Sequence, residues 1–246
     1  MTPWYASWFN TPYYYDLYSH RDHHEARALI LTLCKSLNVE PGQSALDIAC
    51  GRGRHALVLA ESGLHTVGID LSAENIAIAS KMGHDHLSFQ VGNMLEPLEV
   101  HCAHWVFNLF TSFGYFENDA MHQQAIENMA NALLPSGKLV LDYMNAQKIT
   151  AELVPKDQIK TNLATYEISR RLEDQTIVKS IKVTEDGCSI FNYEERVRAF
   201  SKAELCEFME RAGLNVKSVH GDYELGTFDQ EYSDRLIIIA EKLPHP

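Results

Sequence analysis

The sequence predicts an α/β fold: a mostly parallel, doubly wound sheet that closes on an antiparallel hairpin and carries an antiparallel β insertion. Three patterns predict it. From residue 44 to residue 143, short apolar runs alternate with segments of helical period, the rhythm of right-handed βαβ units. From about residue 164 to 200 this gives way to strand-like runs rich in Ile, Val, Tyr and Thr, parted by tight turns. After residue 200 a capped helix precedes two last strands.

The first twenty residues hold two tryptophans, five tyrosines and a phenylalanine, too much aromatic surface to leave in water, so this segment is expected to dock. Asp22 to Leu37 reads as a helix with Ala26, Leu29, Ile30 and Leu33 on one stripe, ended by Pro41-Gly42. Ser44–Ala49 is a buried strand, Arg54–Glu61 a helix stopping at Gly63, and His65–Ile69 a second strand. Ser72 caps a helix running to Met82, with Gly83 just beyond it. Leu87–Val91 and Ala103–Leu109 are the third and fourth strands. Asn118–Leu134 is a helix with Met121, Ala125, Met129 and Ala132 at helical spacing, ended by Pro135-Ser136-Gly137 before a fifth strand at Lys138–Tyr143. Ala164–Leu172, Thr176–Val183 and Ser189–Phe200 form the meander, turning at Glu173-Asp174-Gln175 and Glu185-Asp186-Gly187. Ser201-Lys202-Ala203-Glu204 is a capping box opening a helix that stops at Gly213. Asn215–His220 and Arg235–Ala240 complete the chain.

The 246 residues are 46% hydrophobic and 22% charged, an ordinary globular balance with length enough for one domain and a substantial core. With 21 basic and 33 acidic residues the net charge is −12, which argues against nucleic acid, whose affinity rests on clustered Lys and Arg. Apolar runs such as Leu236–Ala240 fall far short of the roughly 18 residues of a membrane span. The opening Met1-Thr2-Pro3-Trp4-Tyr5 lacks the basic and apolar regions of a secretory leader. Cys34, Cys50, Cys102, Cys188 and Cys206 are odd in number, widely spaced and free of CxxC, and read as thiols of a reducing cytoplasm.

The chemistry concentrates in the run from Ala45 to Arg54, Ala-Leu-Asp-Ile-Ala-Cys-Gly-Arg-Gly-Arg, where a strand enters a Gly-x-Gly turn that opens a helix. Glycine lets the backbone approach a ligand, and the helix N-terminus offers free N–H groups. Nineteen residues after Gly51, Asp70 stands where a carboxylate accepts hydrogen bonds from ribose hydroxyls. Gly51-Arg52-Gly53-Arg54-His55-Ala56 also fits the dinucleotide fingerprint. Asp47 argues otherwise: a charge inside an apolar strand needs a partner. S-adenosylmethionine (SAM) brings two cationic groups, an α-ammonium and a sulfonium. The plainer role for Asp47 is a hydrogen bond to the backbone of the glycine turn.

Asp-Ile-Ala-Cys-Gly-Arg-Gly-Arg-His at 47–55, Gly-Ile-Asp-Leu-Ser at 68–72 and Leu-Leu-Pro-Ser-Gly-Lys-Leu at 133–139 resemble class I SAM-dependent methyltransferases. The resemblance covers about residues 40–145, and more loosely the closing helix and strands. It implies a Rossmann-like sheet of seven strands with a last antiparallel hairpin. It also implies that Asp47, Ala49, Gly51 and Gly53 hold the methionine part of SAM, Asp70 the ribose, and that Leu71 flanks the adenine. Where the family usually has an adenine-binding Asp, this chain has Asn93, which still accepts through its carbonyl, and Met94, which offers a backbone N–H. His104 stands where the fourth strand commonly begins with Asp. Asn108 at the end of that strand joins the cofactor set, and Asn108-Leu109-Phe110-Thr111 is not the Asn-Pro-Pro-Tyr of base-amine methyltransferases, nor is there a Pro-Cys nucleophile. The expected divisions are an N-terminal helical lid segment over 1–40, a SAM-binding core over 41–150, the β insertion over 151–200, and a helix and strands completing the sheet over 201–246.

Methyl transfer is an in-line displacement that relies on orientation, with a base needed only when the acceptor must lose a proton. The Tyr-rich segment Pro12–Asp22 is similar to the lid of small-molecule N-methyltransferases of glycine and amino-sugar types, which places Arg21 on the SAM carboxylate and Tyr14 and Tyr18 across the site. His20 is the general-base candidate, since its ordinary pKa lies near neutrality. Tyr115, in the loop Thr111–Phe116 past the fourth strand, faces the acceptor. The meander at 164–200 is a pocket wall or a dimer surface, and within it a glutamate of Tyr193-Glu194-Glu195-Arg196 attracts an amine or lies on a salt-bridged face. Twelve histidines invite a metal reading, but no HExxH occurs, Asp142 and Asn145 do not form a catechol-type metal pattern, and none is expected. The reading is therefore a cytoplasmic methyltransferase acting on nitrogen or oxygen of a small molecule. Other readings are a non-catalytic SAM-binding regulator (favoured by Asn93 and His104), a protein methyltransferase whose acidic face recruits a basic partner, and a nicotinamide-dependent oxidoreductase.

Overall fold

The structure, a computed structural model, describes residues 4–19, 23–98 and 103–243. The first strands are β1 (Ser44–Ile48), β2 (His65–Asp70), β3 (Leu87–Val91), β4 (Ala103–Asn108) and β5 (Leu133–Met144). All pair in parallel: β1 lies between β2 and β4, β3 flanks β2, and β5 flanks β4. The next four, β6 (Lys156–Lys160), β7 (Thr165–Glu173), β8 (Thr176–Glu185) and β9 (Cys188–Arg198), make a separate antiparallel meander. β10 (Leu214–His220) and β11 (Arg235–Lys242) return to the main sheet, β11 running antiparallel to both β5 and β10. The order β10-β11-β5-β4-β1-β2-β3 is a Rossmann-like seven-stranded sheet with a C-terminal hairpin. Strand order reverses between β1 and β4, which opens a crevice at their carboxyl ends.

The helices are α1 (Trp4–Trp8), α2 (Pro12–Leu17), α3 (His23–Ser36), α4 (Arg54–Glu61), α5 (Ala73–Ala79), α6 (Asp119–Ala132), α7 (Ala146–Ala151) and α8 (Lys202–Arg211). Alternation along the central strands sorts them into two layers. Trp105 and Phe107 of β4 and Val140 of β5 pack with Leu29, Ile30 and Leu33 of α3 and Leu59 of α4. Val106, Leu139 and Leu141, one residue out of phase, pack with Ile126 and Met129 of α6 and Met209 of α8. With both faces covered these strands read as unbroken apolar runs. Each fully buried Leu or Ile contributes about 1.5–3 kcal/mol of transfer free energy.

A third cluster is separate from both layers. Trp8 and Leu17 of the N-terminal segment pack on Tyr166, Ile168, Ile181 and Val183 of the meander. The segment that was too aromatic to leave in water folds as α1 and α2, the latter opened by Thr11, whose Oγ1 accepts the Tyr14 N–H, and by Pro12 at its first position.

Other elements depart from the sequence reading. β5 starts at Leu133, so Pro135-Ser136-Gly137 lies within the strand, where Ser136 is left-handed and the pairing with β4 shifts register. The helix after Ser72 ends at Ala79 and tightens into a 3₁₀ turn over Ser80–Met82. α7, capped by Asn145, and the mostly exposed β6 have too little apolar patterning to be seen beforehand. No helix among the described residues is long and apolar enough to cross a membrane.

Candidate active site

The turn after β1 sits at the reversal point of the sheet. Ala49, Gly51 and Gly53 are left-handed there. A Cβ on Gly53 would stand 2.6 Å from the Phe89 ring, so glycine is required by space as well as by φ. A Cβ on Gly51 would meet no protein atom within 4 Å, and this residue lines the cavity. The Gly51 N–H donates to Asp70 Oδ2 at 2.8 Å, and the Ser72 N–H to Oδ1 at 2.8 Å. The carboxylate at the end of β2 is thus aimed by two backbone donors. Burial raises its pKa, and those donors oppose the rise.

Asp47 is 1% exposed. It accepts the Ala56 N–H in the first turn of α4, whose N-cap Gly53 has no side chain to offer. Its Oδ2 has no hydrogen-bond partner among the described residues. Desolvation pushes its pKa up to about 7. It does not line the cavity and stands behind the turn, where the expected role of backbone acceptor is the one its contacts display.

The cavity is about 240 Å³. Its lining combines Ile69, Asp70, Leu71, Asn93 and Met94 with the aromatic rings of Tyr5, Phe9, Tyr14, Phe110, Tyr115 and Phe116. An adjoining chamber shares Tyr14, Tyr15, Gly51 and Phe110 and adds Tyr18, Arg52, Arg54 and His55. Arg52 lies 3.3 Å over the Tyr15 ring, and Arg54 4.7 Å over Phe110. Burial lowers the His55 pKa to about 3, so that ring stays neutral and the two arginines carry the positive charge of this chamber.

The loop after β4 makes the aromatic wall. Phe110 and Thr111 are consecutive left-handed residues without glycine. Such backbone costs of order 1–3 kcal/mol per residue and persists only where surroundings over-determine it. Asp142 Oδ2 accepts the Phe110 N–H at 2.8 Å, and the Asp142 carbonyl the Thr111 N–H at 2.9 Å. The Tyr115 hydroxyl donates to the Thr111 carbonyl. At Phe116 the N–H donates to His122 Nε2 at 3.3 Å, while His122 Nδ1 meets the Asn118 carbonyl at 2.9 Å. This assigns the His122 proton to Nδ1, and burial lowers the ring's pKa to about 4. Gly114 is left-handed, and a Cβ there would run into the Tyr143 hydroxyl.

The N-terminal helices close the site. Trp4 and Phe9 set their rings 5.2 and 5.5 Å from Tyr115. Tyr15 donates to Asn75 Oδ1 at 2.8 Å. Trp8 Nε1 donates to Glu195 at 2.6 Å, and Tyr18 reaches the same carboxylate at 3.1 Å, with Lys179 Nζ 3.6 Å away. Glu195 therefore anchors the segment to the meander, while Glu194 faces Arg171 and Arg196 on the outer, charged side. Burial and nearby Glu195 raise the pKa of Tyr14 and Tyr115, and burial pushes Tyr15 up to about 12, so these phenols hold their protons.

The sequence-predicted residues divide accordingly. Ala49, Gly51, Asp70, Leu71, Asn93, Met94, Tyr14 and Tyr115 line the cavity, and Tyr18 the adjoining chamber. Asn93 Oδ1 already accepts the Leu95 N–H at 3.0 Å. Asp47, Gly53 and Asn108 lie behind the lining; Asn108 Nδ2 donates to the Ile48 carbonyl at 3.1 Å and ties β4 to β1. His20 and Arg21 lie outside the described residues. His104, at the start of β4 and so at the opposite end of the sheet, bonds Ser44. Sequence reasoning missed Arg52, Arg54, Phe110, Tyr5 and Phe9. For the arginines a signal existed, two cations flanking Gly53 inside the very turn; for the aromatics it did not extend beyond density. Among the described residues no three metal-ligand side chains converge.

These residues fit SAM. The aimed Asp70 carboxylate and the open cradle at Gly51 match a ribose and a close-lying chain, and the buried Asp47 carboxyl behind the turn adds negative potential on that side of the cavity. Comparison with known proteins agrees in kind. A family model described as a methyltransferase domain matches residues 40–213. A dTDP-3-amino-3,6-dideoxy-alpha-D-glucopyranose N,N-dimethyltransferase of Streptomyces fradiae is 27% identical over 82% of this chain and 81% of its own. A SAM-dependent methyltransferase of Clostridium acetobutylicum superposes with a TM-score of 0.79 at 17% identity, over 93% of this chain and 96% of that one. An amino pentose methyltransferase of Micromonospora echinaspora, solved with SAM bound, superposes with a TM-score of 0.70 at 20% identity, over 94% and 97%.

Proposed function

This chain belongs to the class I SAM-dependent methyltransferases of small-molecule type, and we propose that it methylates an amine nitrogen of a small polar molecule. The observation that carries the choice of nitrogen is the make-up of the cavity wall. Among the described lining residues the only carboxylate is Asp70, which the ribose would engage, and the remaining ionisable groups are phenols that hold their protons. A hydroxyl acceptor needs a base. A neutral amine needs none, and the ammonium it becomes is favoured by the ring faces of Phe9, Phe110 and Phe116. The Streptomyces relative, which acts on an amino sugar by name, supports the same class.

In this reading Asp70 orients the ribose, Leu71, Asn93 and Met94 receive the adenine, and Ala49 and Gly51 border the methionine chain. Arg52 and Arg54 offer the α-carboxylate its cations, a part assigned above to Arg21. The cofactor supplies an electrophilic methyl group when bound. Tyr14 and Tyr115 hold the acceptor in line and, with the N-terminal helices, exclude water. Orientation of this kind is worth roughly 7–11 kcal/mol of barrier.

Calorimetry with S-adenosylhomocysteine on wild type and Asp70→Ala tests the cofactor site: micromolar binding that the substitution weakens is expected, and no binding by wild type refutes it. Transfer of label from methyl-tritiated SAM to matched panels of primary amines and alcohols tests the acceptor. Transfer to alcohols alone refutes nitrogen. Binding without transfer to any acceptor favours the non-catalytic regulator.

A further inference from the structure

We propose that Arg235 and Asp142 are positioning residues for the cofactor cavity: as a pair they hold the left-handed turn Phe110–Thr111 that carries the cavity's aromatic wall. This rests on the reading of that cavity as the SAM site. Two left-handed residues in succession, one of them β-branched, are not a conformation this tetrapeptide adopts by preference. Asp142 catches both backbone N–H groups, one with its side chain and one with its carbonyl. Its other carboxylate oxygen receives Arg235 Nε at 2.8 Å, and Arg235 Nη2 donates to Thr111 Oγ1 at 3.0 Å. The guanidinium therefore grips both the brace and the residue being braced. Tyr223 adds a hydroxyl at 3.3 Å from Oδ2.

The burial of the pair makes the grip firm. The Asp142 side chain is fully buried and that of Arg235 is 14% exposed, so water competes little for these bonds. Neither residue lines the cavity, whereas Phe110 lines both chambers and Ser112 and Tyr115 follow it. Arg235 is the first residue of β11, in the C-terminal hairpin, so through this turn the closing strands of the fold support the cavity wall. An ion pair that merely joined β11 to β5 would stabilise the protein and leave ligand affinity alone. A brace alters affinity in protein that is still folded.

Arg235→Met keeps the reach of the side chain and removes the fork; Arg235→Lys keeps the charge. S-adenosylhomocysteine binding is measured by calorimetry, with a thermal melt of each variant as the folding control. Arg235→Met is expected to bind about tenfold more weakly while folded, with Arg235→Lys between it and wild type. In a Thr111→Gly background the turn needs less bracing, and the same change is expected to weaken binding less than about threefold. Wild-type affinity in folded Arg235→Met overturns the proposal, as does an equal loss in both backgrounds. Should Arg235→Met fail to fold, Thr111→Val cuts only the Arg235–Thr111 bond and leaves the ion pair whole; it is expected to weaken binding about threefold, and unchanged affinity overturns the brace. Absence of binding by wild type is a different result: it removes the cofactor reading itself.

Discussion

Two turns wall the same cavity and reach the same backbone region by different means. The turn after β1 uses glycine at 51 and 53, which adopts left-handed φ without steric cost. The turn after β4 places Phe110 and Thr111 in that region and depends on partners from two other elements, Asp142 of β5 and Arg235 of β11, while His122 of α6 holds the far end of the loop at Phe116. The first rests chiefly on glycine, with Asp70 of β2 at the Gly51 N–H, and the second on side chains brought by tertiary contact. A glycine turn thus suits the invariant part of a ligand, to which backbone must come close. A braced turn presents ring faces that glycine cannot supply.

The largest way to break this contrast is to remove the local solution. Gly53→Val puts a β-branched residue at φ +82 with its Cβ 2.6 Å from Phe89, and a loss of roughly 2–6 kcal/mol is expected in urea unfolding. No other contact can rescue it, because the neighbour is a packed ring.

Asp47→Asn sharpens the same turn by separating its stability from its function. The Asp47 pKa is raised from 3.8 to about 7, so the folded protein binds this proton more tightly than the unfolded chain. Stability falls as pH rises through that window, by at most about 4 kcal/mol. Asparagine keeps an acceptor for the Ala56 N–H and removes the charge. The variant is expected to melt higher than wild type at pH 8, to match it near pH 4, and to bind SAM more weakly. Equal melting temperatures at pH 8 would show that Asp47 is not charged there.

The far end of the loop after β4, held by His122 at Phe116, has the opposite pH signature. The His122 pKa is lowered from 6.5 to about 4, so the unfolded chain binds this proton first. Stability is present above pH 6.5 and is lost as pH falls toward 4, by no more than about 3 kcal/mol. His55 adds a parallel loss, its pKa lowered to about 3. His122→Gln is expected to flatten the slope of unfolding free energy between pH 6.5 and 4 and to leave the His55 share. The smallest effect is Tyr15→Phe, which cuts the bond to Asn75 while keeping the ring under Arg52. A loss of about 1 kcal/mol is expected, read as a small drop in melting temperature.

The two turns also differ in how far they could be read beforehand. Gly-x-Gly after an apolar strand, with Asp70 at the end of the next, is a local pattern, and each residue keeps its meaning whatever lies around it. The same holds for Ser72 and Ser201 as caps, since a cap needs only the backbone next to it. Phe110 carries no such mark. Its conformation depends on Asp142 and Arg235, which are distant in sequence from it and from each other. Asn108 could not be placed beforehand for a related reason: its position at a strand end suits a ligand contact, and only the tertiary structure shows its amide Nδ2 donating sideways to the neighbouring strand. The pairing of β7–β9 with the N-terminal aromatics, through Trp8, Tyr18 and Glu195, was open only as a general expectation of docking.

By itself, then, the sequence determined the parallel core with its closing hairpin, the three longer strands of the meander, and the Gly-x-Gly turn, though not α7 or β6. These follow from period, capping and glycine, which act within a few residues. The tertiary structure alone decided which aromatic rings wall the cavity, that Asp47 stands behind the turn and not in it, and that β11 supports the site from outside. Those outcomes depend on burial and on hydrogen bonds between groups distant in the chain, where the strength of each contact is set by what excludes water from it.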